Sequence, residues 1–261
     1  MPAPGLRALR LSVIAPAHNE EDNIRPLVEQ TAAALSPLNI WFEFILVDDG
    51  STDRTQEVVR SLMPGRPWLR CISMTKTPPG KGNGQSAAFH AGFRAARGDV
   101  IAVLDADLQN DPADIPAMLS FMESQRADMV QGDRSHARKD NVVRRVSSVV
   151  GRLFRRILVA DTIRDTGCSL RVFKREVALG LPLEFKGMHR FIPATARHLG
   201  YKVVEMPVTH RPRTAGTTKY GMGVMSRALP GLVDCFAVRY MRNRRRPVGS
   251  REVEPSTGTR P

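Results

Sequence analysis

Three short stretches concentrate the side chains that can do chemistry: Asp105-Ala-Asp107 with Gln109 just beyond, the pair Asp48-Asp49, and Pro16-Ala-His18-Asn-Glu20. Alternate residues of an extended segment point the same way. Asp105 and Asp107 can therefore face one divalent cation, a hard acid that takes oxygen ligands and often shares its shell with phosphates. Two aspartates at a strand end also serve as turn formers and helix caps. What favours the metal reading is company, because Asp48-Asp49 and Glu20 bring more carboxylate than turns require. Gly80-Lys-Gly-Asn-Gly-Gln85 is a second candidate, a phosphate cradle ahead of a helix, or simply a flexible loop. It is neither a P-loop, since no Gly-Lys-Ser/Thr follows at the right spacing, nor the dinucleotide fingerprint, since Gln85 and Ser86 stand where the third glycine belongs. Nucleophilic catalysis finds little support: no serine lies in a Gly-x-Ser-x-Gly elbow and no cysteine in a nucleophile motif. His189 and His198, nine residues apart, suit no simple ligand pair and read as ordinary helix residues.

The acidic stretches all sit at the ends of apolar runs. Leu11–Ala15 is a short strand stopped by Pro16, and Asn23–Leu35 follows with apolar residues at helical spacing. Phe42–Val47 is a second strand, closed by Asp48-Asp-Gly-Ser-Thr52, after which Thr52 or Asp53 caps a helix through Met63. Leu69–Met74 gives a third strand, 78–84 a break, Gln85–Arg97 a helix, and Val100–Leu104 a fourth strand that ends at Asp105. This alternation predicts an α/β protein with a mostly parallel, Rossmann-like sheet flanked by helices on both faces. Ligands of such sheets bind outside the carboxyl ends of the strands, where the carboxylates lie.

The 261 residues carry a net charge of +13, so the chain should be drawn to polyanions such as nucleic acid, anionic lipid or phosphorylated substrates. The excess is one-sided: residues 1–130 sum to −4 and residues 131–261 to +17. Segment 142–158 predicts an amphipathic helix whose polar face is Arg144, Arg145, Arg152, Arg155 and Arg156, and Gly221–Met241 predicts a second amphipathic helix with a break at Pro230. Residues 131–180 hold only Phe154 and Phe173 as aromatics, so stacking on nucleic acid is disfavoured and a membrane interface fits better. A solvated basic face on a packed helix is the plain alternative. Residues 242–261 read as a basic, disordered tail. No run approaches the ~18 apolar residues of a membrane-spanning helix, the N-terminus lacks a secretory h-region, and Cys71, Cys168 and Cys235 read as reduced thiols of a cytosolic chain.

Seven stretches, in order over residues 11–222, resemble the family-2 inverting glycosyltransferases of the GT-A fold. The nearest branch is that of dolichyl-phosphate mannose synthase and the bacterial undecaprenyl-phosphate sugar transferases. The stretches are Val13-Ile-Ala-Pro-Ala-His-Asn-Glu20, Ile45-Leu-Val-Asp-Asp-Gly-Ser-Thr-Asp-Arg-Thr55, Gly84-Gln-Ser-Ala-Ala88 with Ala91-Gly-Phe93, Val103-Leu-Asp-Ala-Asp-Leu-Gln109, Gly132-Asp-Arg134, Asp165-Thr-Gly-Cys-Ser-Leu-Arg171, and Arg211 to Gly216 with Lys219-Tyr220. The resemblance implies a catalytic domain over 1–222, with a nucleotide-binding half to about 130 and an acceptor half beyond it. A membrane-interface helix over 223–241 and the tail would follow.

By the same resemblance, Pro16, His18, Glu20, Val47 and Asp49 hold the nucleotide base and ribose. Asp105, Ala106, Asp107 and Gln109 surround the donor diphosphate, with Asp105, Asp107 and Gln109 as ligands of Mg²⁺ or Mn²⁺. Arg134, Arg144 and Arg145 hold an acceptor phosphate, Asp105, Asp107 and Arg134 are the catalytic set, and Arg211 and Lys219 close on the donor. The chain departs from the family pattern at His18, often Tyr, and at Asp133, often Ser. The expected reaction moves a sugar from a UDP- or GDP-sugar to polyprenyl phosphate. A lipid monophosphate is already an anion and needs no general base. The expected partners are the nucleotide sugar, the polyprenyl phosphate, the anionic inner face of the cell membrane from the cytoplasmic side, and a separate membrane protein, but no nucleic acid. Two alternatives stand beside it: a transferase acting on a hydroxyl acceptor, for which Asp165 is the plausible base, and a non-catalytic module that binds anionic membrane or nucleic acid.

Overall fold

Apolar runs of four to six residues without polar alternation are what a sheet buried on both faces requires, and here they assemble into one seven-stranded sheet. The computed structural model describes residues 9–78, 80–136, 151, 153–212 and 224–246. The strands are β1 (Arg10–Ala17), β2 (Trp41–Asp48), β3 (Leu69–Ser73), β4 (Val100–Val103), β5 (Met129–Asp133), β6 (Arg171–Lys174) and β7 (Val203–Pro207), in the order β3-β2-β1-β4-β6-β5-β7. All neighbours are parallel except β6, which runs antiparallel to both β4 and β5. That reversal places Arg171 opposite both Val103 and Gln131, beside the strand end that leads to Asp105.

Helices cover both faces. On one, α1 (Glu21–Leu35), α2 (Thr55–Leu62) and α4 (Ile115–Ser124) bury Ile24, Leu27, Val59, Leu62, Met118 and Leu119 against Leu11, Val13 and Ala15. On the other, α3 (Gln85–Ala95), α5 (residues 153–159), α6 (Arg175–Leu179), α7 (Ile192–His198) and α8 (Val224–Arg244) pack on Ile14, Ile45 and Val103 through residues such as Phe89, Phe93, Val177 and Ile192. Leu11, Val13 and Ala15 against Ile14 show the period of two that sends alternate residues to opposite faces. Gly92 of α3 lets the helix lie close, since a Cβ there would stand 2.6 Å from Ile14.

Three expectations change. The break foreseen at Pro230 is absent, and α8 runs through it. A proline removes one backbone bond, and burial of Cys235 and Val238 against the second core holds the helix in place despite that loss. The same helix continues to Arg244, so the start of the supposed tail at residue 242 is helical. Of the two histidines read as ordinary helix residues, His198 ends α7, but His189 lies in a short 3₁₀ turn, Met188–Phe191. Arg144, Arg145, Lys219 and most of segment 142–158 lie outside the described residues, as do residues 247–261.

At the end of the sheet away from the carboxylates, Glu43 is 2 % exposed and accepts from Ser12 Oγ (2.7 Å), the Arg97 amide (2.6 Å) and Arg70 Nη1 (2.5 Å). Burial opposes its ionisation, but the Ser12 hydroxyl, the Arg97 amide and the Arg70 guanidinium outweigh it and hold the carboxyl below the usual glutamate range. A depressed acid contributes stability that is present above its unfolded pKa and disappears as pH falls through its folded one. We expect Glu43→Gln to cost about 2 kcal/mol in chemical denaturation at pH 7, and the difference from wild type to shrink when the titration is repeated near pH 3. Equal stabilities at pH 7 would remove Glu43 as a tie across β1, β2 and β3.

Candidate active site

The carboxyl ends of β1, β2 and β4 meet along one edge, since Ala17 pairs with Asp48, Pro16 with Val47, and Ile14 with Val103. The loops beyond them are bound to each other. Asn19, at φ +54°, accepts the Thr52 amide on its Oδ1 (2.7 Å) and donates its own amide to Ser51 Oγ (2.9 Å). The Glu20 amide donates to Thr55 Oγ1 (2.9 Å), and its Oε2 accepts from Asn23 (2.7 Å). His18 Nδ1 lies 2.8 Å from the carbonyl of Asp49, which can only accept, so the proton is assigned to Nδ1.

The two aspartates after β2 have different tasks. Asp48 accepts from the Ser51 amide (3.2 Å) and Gln56 Nε2 (2.6 Å), closing its own turn. Asp49, buried, reaches across to the glycine-rich loop and accepts the amides of Asn83 (2.8 Å) and Gly84 (2.6 Å) on its two oxygens. The loop pays a conformational requirement for this approach: Gly82 sits at φ +62°, and a Cβ there would stand 2.7 Å from Asp49 Oδ2. Two amides that a phosphate cradle would use are thus directed at Asp49, so this loop is tied by a carboxylate at the start of α3.

The first residue of α3 completes the link. Gln85 Nε2 donates to Asp105 Oδ1 (2.5 Å), and Ser169 Oγ donates to Asp105 Oδ2 (2.5 Å). Burial first, then repulsion from Asp107, raises the Asp105 pKa above the usual carboxylate value. The backbone turns sharply next: Leu108 is buried at φ +63°, a conformation that side-chain-bearing residues seldom adopt. This turn brings the Gln109 amide to Asp107 Oδ1 (3.1 Å) and keeps Asp105, Asp107 and Gln109 on one short arc. Among the described residues no group of three or more His, Cys, Asp or Glu could by itself hold a metal. The donor set is two crowded carboxylates and an amide, hard oxygen donors whose mutual repulsion a cation would relieve.

The two predicted cations that the structure describes, Arg134 and Arg211, are already paired within the chain. Arg134, just past β5, makes a two-point ion pair with buried Asp165, Nε at 2.8 Å and Nη2 at 3.3 Å. Asp165 also takes the amides of Arg134 (3.2 Å) and Gly167 (3.1 Å). The Arg211 amide donates to the carbonyl of Gln109 (2.9 Å), but its guanidinium turns to Gln30 (2.8 Å) and Asp111. The edge therefore gathers Pro16, His18, Glu20, Val47, Asp49, Asp105, Ala106, Asp107 and Gln109, while Arg134 and Arg211 stand there as charges already paired.

Beside Asp105 opens a cavity of about 340 Å³ lined by Gln85, Arg155, Thr166, Gly167, Ser169, Arg171, His189 and Arg190. All of these but Arg190 are named from the sequence, in the family stretches, on the basic helix or as an ordinary helix residue, and none is assigned there to the site. Ser169 and Arg171 carried a signal, since polar residues alternate there with Leu170 and Val172 as on a strand with one polar face. His189 and Arg190 carried none. Cys168, behind this wall, has its thiol pushed up to about 11 by burial, and so it stays protonated.

The model of glycosyl transferase family 2 matches residues 12–180. The dodecaprenyl-phosphate galacturonate synthase of Rhizobium johnstonii is 36% identical over 247 residues, 93% of this chain and 70% of that protein. An undecaprenyl-phosphate 4-deoxy-4-formamido-L-arabinose transferase of Edwardsiella ictaluri is 32% identical over 232 residues, covering 89% of this chain and 69% of the relative. Among solved structures, glucosyl-3-phosphoglycerate synthase from Mycobacterium tuberculosis superposes with a TM-score of 0.64 at 19% identity, over 90% of this chain and 80% of that one. The same enzyme bound to Mn²⁺, UDP and glucosyl-3-phosphoglycerate gives 0.61 at 22% identity, over 90% and 80%. A non-catalytic binding module is thereby excluded. The sheet order, the arc of Asp105, Asp107 and Gln109, and the match over most of the chain agree: this is a glycosyltransferase of family 2 with the GT-A fold.

Proposed function

We propose that the enzyme transfers a sugar from a nucleotide diphosphate to the phosphate of a polyprenyl lipid, with inversion at the anomeric carbon. The observation that carries this reading is the state of Asp165. A hydroxyl acceptor needs a base, and the one carboxylate foreseen for that task is held by both prongs of Arg134 and two amides. An acceptor that arrives ionised needs none. The curated relatives, whose names specify dodecaprenyl and undecaprenyl phosphate, support the same acceptor class. Their sugars differ, a galacturonate in one and a formamido-arabinose in the other.

In this reading a phosphate oxygen of the lipid attacks the anomeric carbon as the bond to the donor diphosphate breaks. Pro16, His18, Glu20, Val47 and Asp49 form the base and ribose wall, and Ala106 passes beneath the diphosphate. Asp107 and Gln109, with Asp105 adjacent, have the oxygen chemistry to hold Mg²⁺ or Mn²⁺, which when bound stabilises the charge developing on the leaving diphosphate. Asp105 is steadied by Gln85 and Ser169 and positions the donor at the sugar end. Arg134 orders the Asp165 loop near Asp105, and Arg144 and Arg145 add the charge that draws the lipid phosphate. Arg211 fixes the backbone at Gln109, and Lys219 supplies a further cation for the donor diphosphate.

The acceptor would come from a membrane. Among the described residues no helix is long and apolar enough to cross one, yet α5 and α8 leave Ile157 (63 %), Phe236 (55 %) and Tyr240 (67 %) exposed. Arg156, Arg239 and Arg242 accompany them in the sequence. Such a surface favours peripheral binding to the anionic cytoplasmic face of a membrane.

Incubating folded protein with undecaprenyl phosphate, Mg²⁺ or Mn²⁺ and labelled nucleotide sugars should yield solvent-extractable, acid-labile label with at least one donor. Absence of label with every common donor would contradict the assignment. Asp107→Asn should lower kcat by roughly 10²–10³-fold, the scale of losing one electrostatic contact to the transition state, with an unchanged melting temperature. Full activity in that variant would remove Asp107 from the site.

A further inference from the structure

The cavity beside Asp105 contains more cationic hydrogen-bonding capacity than its own walls use. Arg155 is satisfied: Nε (3.1 Å) and Nη2 (2.8 Å) bind Asp161, Nη1 binds Thr166 (2.7 Å), and the guanidinium lies 4.7 Å above the Phe191 ring. Arg171 is different. It is 3 % exposed, on a strand inside the sheet, and its hydrogen-bond partners among the described residues are neutral: Gln131 Oε1 on Nε (2.7 Å) and the Thr166 carbonyl on Nη2 (3.1 Å). The carboxylates of Asp105 and Asp165 favour its charge through space, yet neither is among those hydrogen-bond partners, and a buried guanidinium is costly without a directly bonded anion.

Arg190 stands at the mouth, 44 % exposed, with Asp234 no nearer than 4.0 Å. His189 adds a neutral donor. Its backbone amide donates to Ser86 Oγ (3.0 Å), so the Ser86 hydroxyl hydrogen points to His189 Nδ1 (2.9 Å) and the ring proton is assigned to Nε2. The one carboxylate lining the cavity, Asp105, has both oxygens engaged by Gln85 and Ser169.

We infer that this cavity receives a carboxylate carried by the donor sugar, so that the enzyme's preferred donor is a nucleotide diphosphate-uronic acid, with Arg171 and Arg190 binding the carboxylate and His189 alongside. This specifies the donor of the transfer proposed above and rests on that reading. A planar monoanion matches a guanidinium fork. Its position also favours the donor over the lipid phosphate. Arg171 is fixed in β6 next to the strand end that leads to Asp105, where whatever enters with the nucleotide must lie. The cations assigned to the acceptor are carried on other segments.

The test compares donors that differ only in a carboxylate against a hydroxymethyl group: UDP-galacturonate with UDP-galactose, UDP-glucuronate with UDP-glucose, and GDP-mannuronate with GDP-mannose. Each pair is measured by calorimetric binding without acceptor and by transfer to polyprenyl phosphate. We expect one uronate to exceed its hexose by roughly 10²-fold, as for a site built to bond a group its competitor lacks. Arg190→Gln, at the exposed rim where folding is least at risk, should reduce that ratio about tenfold through the uronate donor's KM or Kd. Equal or stronger binding of the hexoses would overturn the inference. So would an Arg190→Gln variant whose donor ratio is unchanged while its KM for polyprenyl phosphate rises, since the cavity would then belong to the acceptor. Because the binding arm needs no lipid, a uronate preference without lipid product would sustain this inference and defeat the acceptor assignment alone.

Discussion

The site depends on one buried carboxylate that need not touch the reacting atoms. Asp49 leaves the end of β2 and binds the amides of Asn83 and Gly84, which fixes where α3 begins. The first two residues of α3 then act in opposite directions: Gln85 steadies Asp105, and Ser86 bonds His189 on a turn more than a hundred residues away. One constraint thus sets the pose of the acidic edge and of the cationic cavity together. Gly82 is the backbone's concession to it, since any side chain there would collide with Asp49.

Charge is distributed to suit two anions that must approach each other. The carboxylates lie on the first half of the chain and the cations on the second, −4 against +17. Near the site most of that cation is neutralised locally, Arg134 by Asp165, Arg155 by Asp161 and Arg211 by Asp111. Such pairs hold loops in shape and add little long-range field. Arg171 and Arg190 are held less closely, Arg171 by through-space attraction to Asp105 and Asp165 and Arg190 by Asp234 at 4.0 Å, and the proposed donor selectivity rests on these two cations.

Much of this was legible in the sequence. Four strands and three helices of the first half fall within a few residues of their expected places, because β1, β2 and β4 are continuous apolar runs ending in Pro16, Asp48 and Asp105. The acidic edge was legible for the same reason. Less so were the roles of individual groups: Asp48 and Asp49 are neighbours of one type, and only the packing of the glycine loop shows that one closes a turn and the other holds a helix. The cavity was hidden because its parts are distant in sequence and meet through β6, whose antiparallel insertion no local pattern announces. Pro230 misled because tertiary burial of Cys235 and Val238 overrides the local cost of a proline.

The central claim is that the acceptor supplies its own negative charge, so that Asp165 can stay locked to Arg134. The most direct measurement offers the enzyme polyprenyl phosphate and the matching free polyprenol, of equal chain length, in the same detergent with the same donor. Transfer to the phosphate alone is the predicted result. Comparable transfer to the alcohol would show that a base operates in this site and would contradict the account.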